Sequence, residues 1–203
     1  MSTSHLRRSP TQDRGRERVE RILDAAAEIV VERGPESLKV SDIAARAGVH
    51  LGTLYHFFAS KDDIIRALAE RFAERFGKVL DDILAECGEA PDWAVLLNRL
   101  FDAYAAHYRT EPALRELWVG AQLDPQFIAA DHEYTNRQFA SKLAHALAPT
   151  ATVSETDLAL MVYVCWESMQ ALLETAFRAN ADGDPQVLGQ AKLMAARYLS
   201  PAF

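Results

Sequence analysis

From Val19 to Tyr198 the apolar residues of this chain recur at intervals of three and four, the spacing of one face of an α-helix. No segment alternates apolar and polar residues as a half-buried strand does, and there is no internal repeat. The breaks between periodic segments carry helix punctuation. Gly34-Pro35 closes a first helix with the stripe Val19, Ile22, Leu23, Ala26 and Val30, and Arg33 sits in its last turn. Ser41 is expected to cap a second short helix, with Asp42 in its first turn and Gly48 as its stop. A third runs from about Leu51 to Phe58. Ser60 and Asp63 form a capping box that opens a fourth helix ending at Gly88. At 1.5 Å per residue that helix is roughly 40 Å long. Asp92, Pro112, Asp124-Pro125, Ser154 with Asp157, and Asp184-Pro185 mark five further starts. The expectation is an all-α protein of about nine helices.

Composition narrows the class. Of 203 residues 49% are apolar, enough for a real core, and no apolar run approaches the length of a membrane span. The N-terminal arginines are not followed by the apolar stretch of a secretory signal. Cys87 and Cys165 lie far apart in helix-like stretches, without metal-ligand spacing or a disulfide framework. They are read as reduced core residues of a cytoplasmic protein, with no metal and no cofactor. The net charge of −7 is unevenly spread: residues 1–61 carry 10 Lys/Arg against 8 Asp/Glu, and residues 62–203 carry 12 against 21. Arg7, Arg8, Arg14, Arg16, Arg18 and Arg21 cluster at the front. A basic head on an acidic body suits a protein that meets DNA with one end.

The stretch VSDIAARAGVHLGTLYHFFASK, from Val40 to Lys61, has the physics of a helix-turn-helix. Ala44 and Ala47 are small enough for two helices to cross closely, and Gly48 tolerates the tight turn between them. Ile43, Val49 and Leu54 plug the junction. The outward positions are His50, Thr53, Tyr55, His56 and Lys61, hydrogen-bonding types suited to phosphates and base edges. Catalysis finds no support: there is no Gly-rich phosphate loop, no Gly-x-Ser-x-Gly elbow and no His-Glu-x-x-His.

Over residues 16–75 the chain closely resembles the TetR family of transcriptional regulators, through RGPESLKV, SDIAARAGV and GTLYHFFASKDDII. The resemblance implies a flexible basic arm (1–15), a DNA-binding domain (16–62) and a helical ligand-binding and dimerisation domain (63–203). It implies a homodimer that binds double-stranded, near-palindromic operator DNA and is released by a small-molecule effector. Thr53, Tyr55 and Lys61 match phosphate contacts; His50, Leu51 and Gly52 match positions that reach bases; Ser41 and His56 complete the expected DNA-binding set. Phe57 departs from the family, which often has His or Tyr there. An activator, or a DNA-binding protein without a ligand, remains an open alternative.

Beyond residue 75 the resemblance rests on the pattern of helices. Tyr104, Trp118, Gln122, Trp166 and Gln170 combine apolar walls with polar handles, as a ligand pocket requires, and Phe72 on the fourth helix joins them. His107 and Arg137 suit either an anionic ligand or a solvated face. The eighth helix is apolar nearly all round, which points to a second subunit against it. The expected interface is Val162 with Val187, Ala191, Met194, Ala195 and Tyr198 of the ninth helix.

Overall fold

The computed structural model describes residues 13–120 and 125–203, with side chains described over 15–118 and 135–203. The expected arm as far as Gln12, Gln122 and the Asp124 cap lie outside the described residues. The described chain is all-helical: α1 (Asp13–Arg33), α2 (Val40–Ala47), α3 (Leu51–Phe57), α4 (Lys61–Cys87), α5 (Trp93–Thr110), α6 (Pro112–Arg115), α7 (Pro125–Leu147), α8 (Glu155–Phe177) and α9 (Pro185–Leu199). Short 3-10 turns follow α1, α7 and α9, and a π-helical turn, Glu116–Gly120, continues α6.

The sequence punctuation is mostly realised as hydrogen bonds. The Asp63 amide donates to Ser60 Oγ at 3.2 Å, and the Ser60 amide donates to Asp63 Oδ2 at 2.9 Å, closing the capping box of α4. Ser154 Oγ accepts from the Asp157 amide at 3.2 Å, and Asp184 Oδ1 accepts from the Gln186 amide at 2.8 Å. Asp92 accepts from two amides of α5, those of Ala94 and Val95. Ser41 is different. Helix α2 begins one residue before it, so Lys39 is the capping residue and makes no side-chain cap. Ser41 sits inside the first turn, with its hydroxyl 3.4 Å from Asp42 Oδ1.

The residues group into two compact units, and α4 passes from one to the other at Glu74 and Arg75. The expected boundary after residue 62 therefore falls within the first turn of α4. Ile64, Ile65, Leu68 and Phe72 are buried, and they tie the first half of that helix into the first unit. This unit also takes in Pro112–Ala121. There Leu114 and Leu117 are buried, where α6 and the π turn pack on α1. Arg71, 8% exposed, donates from α4 to Asp24 of α1 at 2.6 Å and lies 3.3 Å from Glu20.

The second unit comprises Arg75–Glu111 and Gln122–Phe203. Helix α8 runs against both α7 and α9, and α5 packs on α9. Its core includes Leu96, Leu100, Phe101, Tyr108, Leu143, Leu158, Leu173 and Leu199. Exposed ion pairs fringe it: Arg99 with Glu86, Lys142 with Asp81, and Lys192 with Asp102 at 2.6 Å.

Candidate DNA-binding surface and effector region

In the first unit α2 and α3 meet around Ile43 and Leu54, both fully buried. Cutting either back to Ala would cost about 2–5 kcal/mol, the usual range for a buried Leu or Ile. Ala44 and Ala47 are buried at the same crossing, while Val49 is half-buried. Gly48 takes the left-handed conformation (φ 63°, ψ 36°), and its amide donates back to Ala44 and Ala45 carbonyls. A side chain with a Cβ would be strained there.

With the inward face so fixed, the opposite face is set. Ser41, His50, Leu51, Gly52, Tyr55 and His56 are exposed, and Thr53 and Lys61 half-exposed. Phe57 is buried with its ring edge-on to His56 at 5.4 Å. Its departure from the family pattern therefore places an apolar residue in the core. Two further cations lie near Lys61 in the sequence of the motif. Lys39 is exposed immediately before α2, at the capping position where the sequence pattern favours Ser41 instead. Among the described residues, neither Lys39 nor Lys61 makes an ion pair. Arg46, by contrast, donates to both oxygens of Glu32 and lies 3.7 Å from Glu28. The hydrogen bond with Arg46 holds the Glu32 carboxyl below its ordinary range.

This is the exposed face of a helix-turn-helix. The profile described as "Bacterial regulatory proteins, tetR family" matches residues 22–68, and "Tetracyclin repressor-like, C-terminal domain" matches residues 91–203. The chain belongs to the TetR family. Regulators of this family bind DNA and are a class without enzymatic activity. Among curated relatives it is similar to the HTH-type transcriptional regulator YvdT of Bacillus subtilis, 38% identical over 93 residues (46% of this chain, 45% of that one). It is also similar to the transcriptional repressor Rv3405c of Mycobacterium tuberculosis, 33% identical over 99 residues (48% of this chain, 47% of that one). These matches thus span about half the length of the relatives. A crystal structure of a TetR-family transcriptional regulator from Streptomyces coelicolor aligns over 92% of this chain and 98% of its own, with a TM-score of 0.73 and 28% identity.

In the second unit of this TetR protein, Tyr104, Trp166 and Gln170 do come together. The Tyr104 and Trp166 rings lie 4.6 Å apart, and Tyr104 Oη donates to Gln170 Oε1 at 3.4 Å. Phe72 and Trp118 belong to the first unit. Phe76 and Phe139 join the same cluster. Phe76 stacks 5.7 Å from Trp166 and lies 4.5 Å from Tyr104, and Phe139 stacks on Trp166 at 4.1 Å. The helical stripe points to both as core, without separating them from ordinary packing. Trp166 Nε1 donates to Asn136 Oδ1 at 3.0 Å, and Asn136 Nδ2 donates to Glu167 at 2.8 Å, so this buried polar chain is satisfied. Burial pushes the Tyr104 phenol up, so it stays neutral, and burial raises the Glu174 carboxyl as well. Arg137 lies over the Tyr163 ring at 4.4 Å. Beside Trp166 and Phe139 a small apolar cavity measures about 20 Å³. That admits roughly one water, far less than the 300–1,000 Å³ of a typical ligand site.

The expected interface residues divide. Val162, Ala191 and Ala195 are at most 2% exposed within one protomer, where α8 and α9 pack on their neighbours, so a second copy cannot reach them. Val187 is half-buried, and Met194 and Tyr198 are exposed. Leu160, Val164 and Leu193 are exposed too, at 59%, 39% and 41%. Among the described residues, no helix is long and apolar enough to cross a membrane.

Proposed function

We propose that this regulator is a homodimeric repressor that binds a near-palindromic operator through α3 and releases it when a small molecule enters the second unit. The observation that carries the reading is the division of labour along the chain. An exposed polar helix-turn-helix face lies in one unit, and a cluster of aromatic rings with buried polar groups lies in the other. The repressor Rv3405c, a relative at modest identity, supports the sign of regulation. His50, Leu51 and Gly52 would reach bases, Thr53, Tyr55, His56 and Lys61 would hold phosphates, and Ser41 would flank them.

Two continuous stretches link the units. Helix α4 carries Lys61 at its start and Phe76 four turns later. Residues 112–120 follow directly from α5 and pack on α1 and the Pro35–Ser37 turn. A π-helical turn in a connector of this kind is a common mark of a functional position. A ligand that shifts either stretch changes the spacing of the two reading heads and costs phosphate contacts. By linkage, operator DNA must weaken the effector by the factor that effector weakens operator. The test measures effector affinity by calorimetry with and without saturating operator duplex. Reciprocal weakening is expected; equal affinities would overturn effector-driven release and favour an activator or ligand-free regulator.

A further inference from the structure

The Phe76 side chain is the centre of an aromatic cluster. Its neighbours are Tyr104 at 4.5 Å, Phe139 and Trp166 each at 5.7 Å and both stacked, and His107 at 5.8 Å. It is thus enclosed by four rings from α5, α7 and α8 while being supplied by α4. A core phenylalanine needs apolar neighbours only. Its neighbour Tyr104 is hydrogen-bonded to a side chain with unused polar capacity. Gln170, 4% exposed, has a buried amide nitrogen that finds no hydrogen-bond partner, although its oxygen accepts from Tyr104. A buried amide donor without an acceptor is costly, and such sites are rare in cores that serve packing alone.

Glu174 and Glu167 act on Tyr104, and Glu174 acts on Tyr108 as well. The cation acting on Glu174 is Arg178, exposed at the end of α8. Glu174 is itself partly buried, and a positive partner would offset its desolvation. Electron-rich ring faces with carboxylates behind them favour cations and disfavour anions.

We infer that the box formed by Tyr104, Phe139, Trp166 and Gln170 is the effector site, that Phe76 is its built-in plug, and that the ligand displacing Phe76 is a flat aromatic cation. The inference rests on the effector reading above and specifies its chemistry. The incoming ring stacks on Trp166 in place of Phe76, a polar atom on it meets the Gln170 amide, and its charge faces Glu174. Displacing the plug moves α4, the helix that begins at Lys61.

The test follows tryptophan fluorescence of the full chain titrated with N-methylquinolinium, a flat cation, and with 2-naphthoate, an anion of similar size. Wild type should prefer the cation by at least about tenfold. Phe76→Ala should bind it about tenfold more tightly than wild type, because the bound state no longer competes with the plug. Phe76→Leu, which keeps an apolar side chain and removes the ring, should fall between them and serves if the Ala variant does not fold. Glu174→Gln should lower the cation's advantage by weakening cation binding. Unchanged affinity in a folded Phe76 variant overturns the plug, and equal or stronger binding of 2-naphthoate to wild type overturns the ligand class. Operator affinity measured in parallel reports on effector-driven release alone. A probe that enters the box and leaves operator affinity unchanged counts for the site and against release.

Discussion

Arg46 on α2 grips Glu32 on α1 with two hydrogen bonds of 2.7 Å each. The pair fastens the supporting helix of the helix-turn-helix to α1. It also engages a cation that, by its place in the motif, looks available for DNA. A phosphate contact has to release a counterion to strengthen the salt dependence of binding, and a guanidinium already paired with a carboxylate releases little. Arg46→Gln should therefore leave the slope of log affinity against log salt nearly unchanged. Lys61→Ala should lower it by roughly one contact and weaken all duplexes alike, whereas His50→Ala should change base preference with little change of slope. Fluorescence anisotropy over a salt series separates these outcomes; an Arg46 variant with the larger slope change would reverse the assignment.

Leu160 and Val164 on α8, with Leu193, Met194 and Tyr198 on α9, account for five of the ten large apolar side chains exposed among the described residues. The two helices pack on each other, so a dimer formed there would cover this apolar surface. Light scattering should give about twice the 22.6 kDa chain mass for wild type. Leu160→Lys combined with Leu193→Glu should shift it to monomer, while helical content by circular dichroism stays unchanged. Val162→Ala, in contrast, should destabilise the fold without a selective effect on assembly, because Val162 is buried in its own protomer. A wild-type monomer at micromolar concentration would overturn the dimer.

Burial raises the carboxyl of Glu174 above its ordinary value, with Arg178 acting in the opposite sense. A carboxyl whose folded value exceeds its unfolded one favours the native state while protonated. That contribution is full below the unfolded value and is lost as pH rises through the folded value. Glu174→Gln should therefore raise the melting temperature at pH 7, and the gain should shrink as pH falls toward 4. Differential scanning fluorimetry across that range checks the sign; a variant less stable than wild type at pH 7 would show that the charged carboxylate is well solvated or well paired.

The two thiols should react at very different rates. Cys165 is buried against Met169, with its thiol pushed up to about 11 by burial, while Cys87 is partly exposed next to Arg99. Because the thiolate is the reactive form, native protein at pH 8 should react with Ellman's reagent at Cys87 first, and Cys165 should follow only on unfolding. Rapid modification of both in the native state would show that the α8 core opens readily.

The helices, most of their caps and the outward face of α3 are legible in the amino-acid sequence alone, because each depends on local physics. The Ser60–Asp63 box, the Asp184 cap and Gly48 are satisfied by atoms a few residues away. Likewise, once Ile43 and Leu54 turn inward, helical period alone turns His50, Leu51 and Tyr55 outward. What depends on distant partners is decided by packing. Ser41 loses the cap because α2 starts one residue earlier, and Phe57 is claimed by the core. Arg46 is paired across 14 residues of chain. Helix α8 looks apolar on every side in sequence, yet packing buries Val162 and leaves Leu160 exposed. Phe76 is the sharpest case. Its period marks it only as an inward residue of α4, and nothing local distinguishes it from Phe72. Four rings brought from positions 104, 107, 139 and 166 make it the centre of an aromatic box, an arrangement that exists only when three other helices have converged on the fourth.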